Sequence, residues 1–236
     1  MYRRWFFTGD KHGKFNFLPY WCEEQKTTKD DILVILGDAG INFWLDERDI
    51  KTKNKIAECP IILFCIHGNH EERPENISSY RKEYFEGGEV YVEDNFPNIK
   101  FAISGQTYNI NGYSALVLGG AYSIDKHYRL EAGIPWFKSE QLSNEERETI
   151  KENVHGKYFD FVLSHTCPYS NQPTDLFLDC IDQSKIDNSM ELWLEEIKND
   201  IDYSYWFFGH YHGDRKIEKG MYMLYNEIIP FEKIWF

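Results

Sequence analysis

The sequence predicts an α/β fold, and three observations carry that reading. Short apolar runs recur along the chain, rich in branched and aromatic residues and closed by glycine and a polar cluster; runs this brief read as buried strands rather than helices. Polar, helix-compatible segments separate the first three runs and are long enough for right-handed crossovers between parallel strands. Strand and helix therefore alternate, which is the pattern of a sheet flanked by helices.

The first run, residues 5–7, leads into Thr8-Gly9-Asp10, and residues 16–26 have helical composition. The run 32–36 ends at Gly37-Asp38, residues 47–58 supply a second helix, and the run 61–66 ends at His67-Gly68-Asn69-His70. Residues 89–118 break the rhythm: turns at 95–98 and at Asn111-Gly112, a favoured hairpin dipeptide, predict antiparallel pairing. Ser143 followed by Glu146 is a capping box that opens a helix running to about residue 153. Strands are expected at 115–118, 159–163 and 205–208, a helix over 188–198, and a hairpin in 214–236 that closes a sheet edge.

No Ser/Gly/Pro-rich linker divides the 236 residues, so a single domain over 1–236 is expected. With 42% apolar and 17% aromatic residues the chain can bury enough surface to offset its ordering entropy. Asp and Glu number 39 against 26 Lys and Arg, a formal charge of -13 that opposes binding to a nucleic-acid backbone, although bound cations could make one pocket locally positive. Five cysteines, Cys22, Cys59, Cys65, Cys167 and Cys180, form no CxxC pair and suggest reduced thiols and a cytoplasmic location. The N-terminal apolar run is too short for a signal peptide and the longest, 60–66, too short to cross a bilayer, so no membrane anchor is expected.

The polar clusters sit where the strands end, and in α/β sheets ligands collect beyond the carboxyl ends of strands. In order they are Gly9-Asp10-Lys11-His12-Gly13, Gly37-Asp38-Ala39-Gly40, Gly68-Asn69-His70-Glu71, Ser164-His165 and Gly209-His210-Tyr211-His212. Carboxylate, imidazole and amide oxygen suit Mn, Fe or Zn, and no thiolate stands among them. Glycines beside most of these ligands allow a sharp turn after the strand.

This ordered set, GDxH, GD, GNH, a single His and GHxH, resembles the calcineurin-like metallophosphoesterase superfamily from Gly9 to His212. The resemblance implies a four-layer α/β/β/α sandwich of two mixed β-sheets flanked by helices, with two divalent metal ions, manganese favoured, at one end. One ion would be held by Asp10, His12, Asp38 and His212, and the other by Asp38, Asn69, His165 and His210. Asp38 would bridge them. The chemistry implied is hydrolysis of a phosphate mono- or diester by hydroxide generated between the ions, with His70 as proton donor to the leaving group. Glu71 then either orients His70 or is a surface carboxylate.

The match is incomplete in one informative place. Serine/threonine phosphoprotein phosphatases continue GDxVDRG, whereas this chain has Gly37-Asp38-Ala39-Gly40-Ile41-Asn42, without the supporting carboxylate and the phosphate-gripping arginine. Asp46, Glu47 or Arg48 could substitute from the same loop. Residues 118–129, similar to a segment of bacterial and phage members of unassigned substrate, offer Tyr122, Lys126 and Arg129 as candidates to grip phosphate or stack on a base, and His67 and Arg73 stand beside the third motif. Trp44, Trp136 and Phe137 are candidate lid or core residues; His127 and His155 have no motif around them. The expected substrate is a nucleotide or another small phosphorylated metabolite, with a phosphoprotein as the alternative, and a non-catalytic metal-binding scaffold is the rival from another class.

Overall fold

A computed structural model describes residues 3–234. In chain order the strands and helices are β1 (Trp5–Thr8), α1 (Leu18–Gln25), β2 (Ile32–Ile35), α2 (Glu47–Ala57), β3 (Ile62–Cys65), β4 (Tyr80–Phe85), β5 (Gly88–Glu93), β6 (Ile99–Ala102), β7 (Thr107–Ile110) and β8 (Tyr113–Leu118). They continue with α3 (Lys126–Ala132), α4 (Asn144–Val154), β9 (Tyr158–Ser164), α5 (Ser189–Asp200), β10 (Asp202–Phe208), β11 (Arg215–Glu218), β12 (Met221–Met223) and β13 (Ile229–Pro230). One sheet has seven strands in the order β13-β1-β2-β3-β6-β5-β4, and the other six in the order β11-β12-β10-β9-β8-β7.

Side-chain alternation explains why the strand runs are uninterrupted in hydrophobicity. Trp5 and Phe7 point between the sheets with Val34, Phe64, Val117, Phe161 and Phe207. Phe6, Leu33, Ile35 and Leu63 point the other way, onto Leu18 and Cys22 of α1 and Ile56 of α2. On the far side Leu116, Val162, Trp206 and Phe208 meet Ile150 of α4 and Trp193, Leu194 and Ile197 of α5. Strands apolar on both faces belong to sheets covered on both faces, and the result is the four-layer α/β/β/α sandwich with mixed sheets.

Four stretches depart from expectation. Residues 89–118 do pair antiparallel, β5 with β6 and β7 with β8, but β6 also runs parallel to β3, so the stretch is divided between the sheets. The edge strand β4 is charged at Arg81, Lys82 and Glu83 and mostly exposed, a composition that protects an edge and hides the strand from hydrophobic pattern reading. Residues 126–132, for which no helix is expected, form α3, stopped by Gly133 in the left-handed region. At the C-terminus β11 and β12 form the expected hairpin at the edge of the second sheet, yet β13 crosses to pair with β1 in the first; residues 235–236 lie outside the described residues.

Candidate metal centre

The parallel strands β1, β2 and β3 of one sheet and β9 and β10 of the other deliver their carboxyl ends to one rim of the sandwich. Asp10 and His12 follow β1, Asp38 follows β2, Asn69 follows β3, His165 follows β9, and His210 and His212 follow β10. Backbone hydrogen bonds lock the loops together: the N–H groups of Lys11 and His12 donate to Asp38 O at 2.9 and 2.8 Å, and His70 N–H donates to Asp38 Oδ1 at 2.8 Å. Four of these residues hold left-handed backbone, with φ of 46° at His12, 49° at Asp38, 66° at His210 and 53° at His212. Such conformations cost on the order of 1–3 kcal/mol each and cluster where function requires them.

The donors converge in three overlapping groups, Asp10-His12-His212, His12-Asp38-His70 and Asp10-Asp38-His165, each with ligand atoms within 4.8 Å of one another. Asp10, His12 and Asp38 each belong to two of them. Asn69 Oδ1 lies 2.8 Å from His165 Nε2, and the rings of His165 and His210 are 4.9 Å apart. The seven residues that the motifs single out are thus brought together.

Their orientation fits a cation. His165 Nδ1–H donates to Leu36 O at 2.9 Å, which leaves the Nε2 lone pair facing Asn69 Oδ1 and, at 3.5 Å, Asp38 Oδ1. Asn69 in turn donates its amide to Ser123 Oγ at 3.0 Å, fixing its oxygen toward His165. Lone pairs pointed at one another repel unless a positive charge lies between them. Asp10 Oδ2 is buried without a well-aligned hydrogen bond, its nearest partners being His212 Nε2 at 3.2 Å and His12 Nε2 at 3.8 Å, and those two nitrogens are 2.9 Å apart. Buried and without such a partner, a carboxylate oxygen would be costly.

Electrostatics agree. Burial alone would raise Asp38, but His165, His70 and His12 hold it well below the ordinary carboxylate range, and His212 and His165 hold Asp10 down against its burial. Burial pushes His210 down to about 3 and, helped by Arg129, His70 down to about 4, so both imidazoles are neutral near pH 7. Contact with the Asp10 carboxylate raises His212.

Glu71 has neither of the roles expected of it. It is fully buried and accepts the N–H groups of Gly68 at 3.2 Å and Gly40 at 3.1 Å, joining the second and third motif loops from beneath. Ser123, absent from the sequence reading as a site residue, is a hub: it meets Asn69 Nδ2, Arg129 Nη2 and the Glu140 carboxylate. Only its place inside the segment 118–129 could have drawn attention to it.

Among the residues proposed to meet substrate, Arg129 is closest to the donors. Although 1% exposed, it places Nη2 2.7 Å from His70 Nε2, and since a guanidinium only donates, Nε2 accepts and His70 carries its proton on Nδ1. Lys126 Nζ lies 4.1 Å from the Trp136 ring centre and 5.9 Å from that of Tyr122. Arg73 is engaged by Glu146 and Glu75, and His67 is buried against Gly119 and Gly120. His127 is exposed and His155 pairs with Asp200. Asp46 caps α2 and Glu47 is exposed, whereas Arg48, Trp44 and Phe43 line a cleft of about 240 Å³ with His12 and His70. Phe137 packs 6.4 Å from Phe43, ring to ring. All five cysteines are free, four of them buried, and no described helix is long and apolar enough to cross a membrane.

Comparison with known proteins bears on this rim. Residues 4–214 match a protein-family model described as calcineurin-like phosphoesterase. No curated protein sequence matches significantly. A solved crystal structure aligns over 99% of this chain and 96% of its own with a TM-score of 0.52 at 12% identity, a likeness of fold alone.

Proposed function

Given that this chain belongs to the calcineurin-like phosphoesterase family, we propose that it hydrolyses a phosphate mono- or diester at a centre holding two divalent cations, manganese favoured over iron or zinc. The observation that carries the proposal is the convergence from both sheets of Asp10, His12, Asp38, His165 and His212 in overlapping groups, with Asn69 and His210 against His165. Asp10, His12, Asp38 and His212 would hold one ion, and Asp38, Asn69, His165 and His210 the other. Bound there, such ions lower the pKa of water and neutralise phosphoryl oxygens.

The chain's own groups do the rest. The Leu36 carbonyl and Ser123 aim His165 and Asn69. Arg129, held by Asp125 at 2.8 Å, brings a permanent positive charge to the rim beside His70, in a chain whose second motif lacks the phosphate-gripping arginine. His70 is assigned to the leaving group. Its low proton affinity follows from burial and from Arg129, and a dianionic ester that drew the guanidinium to itself would restore that affinity.

The substrate proposed is a nucleotide or similar small ester. With a chromogenic phosphate ester and added Mn, Asp38→Asn and His210→Ala should each reduce kcat/KM by more than the roughly 10–100-fold that loss of an outer partner costs. Undiminished activity in either variant would overturn the assignment.

A further inference from the structure

The cleft beside His70 has walls that the hydrolytic reading leaves without a task. We propose that it is the leaving-group subsite, built to stack a planar aromatic ring on Trp44, so that the preferred esters are those whose alcohol carries such a ring. The inference rests on the assignment of His70 to the leaving group, because the departing alcohol must then lie on the side that His70 faces.

The lining is contiguous with the donors at one end and aromatic at the other. His12 and His70 form the inner wall; Phe43, Trp44 and Arg48 form the outer one. Phe43 lies nearly parallel to His70 at 6.0 Å and meets Trp44 edge to face at 4.9 Å, so the rings lead outward from the proton donor. Trp44 is 38% exposed, while Trp5 and Trp206 are fully buried. The Arg48 guanidinium, held by Asp46, lies 3.5 Å from the Trp44 ring centre and covers one face of the indole, which leaves the other face for an incoming ring.

This loop is held in place at a cost. Leu45 has φ 54°, a left-handed conformation that a bulky side chain rarely adopts. Asp49, 4% exposed, secures it by accepting the N–H groups of Trp44 at 2.8 Å and Leu45 at 2.7 Å. Capping α2 is already the work of Asp46, so Asp49 is spent on the peptide that presents Trp44. From the other side Tyr80 donates to buried Asn42 at 3.0 Å. An exposed indole fixed on a strained, buttressed loop is a preorganised surface.

Two substrate pairs isolate the ring, since the members of each share a primary leaving alcohol: AMP with ribose 5-phosphate, and benzyl phosphate with ethyl phosphate. The ring-bearing member of at least one pair should be preferred about fivefold or more in kcat/KM, the lower end of what base-on-aromatic stacking provides. Preference confined to the first pair identifies a nucleoside, and confined to the second a small aryl alcohol. Trp44→Ala should abolish it, Trp44→Phe should keep part of it, and Tyr20→Ala, in the larger groove beyond Lys11 and Lys14, should leave it intact. A binding measurement stands apart from turnover: saturation-transfer NMR of adenosine and benzyl alcohol with the zinc-loaded protein should mark ring protons in the wild type and lose that signal in Trp44→Ala. Ring preference that survives Trp44→Ala, or is lost in Tyr20→Ala, or ring protons unmarked in the wild type, would overturn the subsite. Should no ester be hydrolysed while the ring signal still depends on Trp44, the hydrolytic reading falls and the leaving-group role with it, and only ring binding at Trp44 stands.

Discussion

Gly68 shows how little room the assembly of two motif loops leaves. A Cβ there would lie 2.0 Å from Asp38 Oδ1 and 2.4 Å from Asp38 N, so even alanine must push the shared carboxylate aside. Gly37 stands in the same relation to His165, whose Nδ1 would be 1.9 Å from the added carbon. Gly68→Ala should therefore lower stability by about 1–3 kcal/mol, the usual cost of overpacking, and should also lower the metal content found by elemental analysis. A variant that melts earlier but keeps its full metal content would show that Asp38 can move without consequence. At this scale the donors were legible because each is a chemically distinctive residue and all but His165 stand beside a glycine. The groups that aim them were not: Glu71 and Ser123 are ordinary in type, and only the fold reveals that one lies under two loops and the other between Asn69 and Arg129.

Between elements, the link from the end of β9 to α5 carries a titratable group. Thr166, next to His165, donates to Glu191 at 2.7 Å, and burial pushes that carboxyl up to about 7 despite the bond. A carboxyl raised above its unfolded value stabilises the fold fully below about pH 4.5, and that contribution is lost as the pH rises through 7. Stability measured by denaturation should accordingly fall between pH 4.5 and 8 in the wild type relative to Glu191→Gln, by up to about 3 kcal/mol. Identical pH profiles would mean that Glu191 titrates normally. The helix itself was readable from its amphipathic spacing, as α4 was from the capping box that Ser143 and Glu146 do form. Elements that escaped, β4 and α3, are the ones whose identity is set by a neighbour: β4 exists because β5 pairs with it along six residues, and α3 is a short helix whose buried Arg129 is satisfied from outside it.

For the molecule as a whole, the donors are divided between the sheets, three motif loops from one and two from the other, so any ion they share fastens the halves of the sandwich together. Chelation should lower the melting temperature, and saturating Mn should restore it, by about 2.7 kcal/mol at a hundredfold excess over Kd. An unchanged melt on adding EDTA, with metal shown to be removed, would count against a fastening role. The α/β class and the site's location could be foreseen because parallel strands with buried faces leave their mark locally. How the strands divide between two sheets could not, because partner choice along 89–118 and after residue 214 depends on contacts between distant segments. The pairing of β13 with β1 is the extreme case, joining Phe6 to Pro230 and Phe7 to Ile229. It has a consequence for biosynthesis: as the chain leaves the ribosome, β1 must wait with this edge open until more than two hundred further residues have emerged. The nascent protein therefore has reason to need a chaperone over that interval, and the cluster of donors at the rim stays incomplete until His212 has been translated.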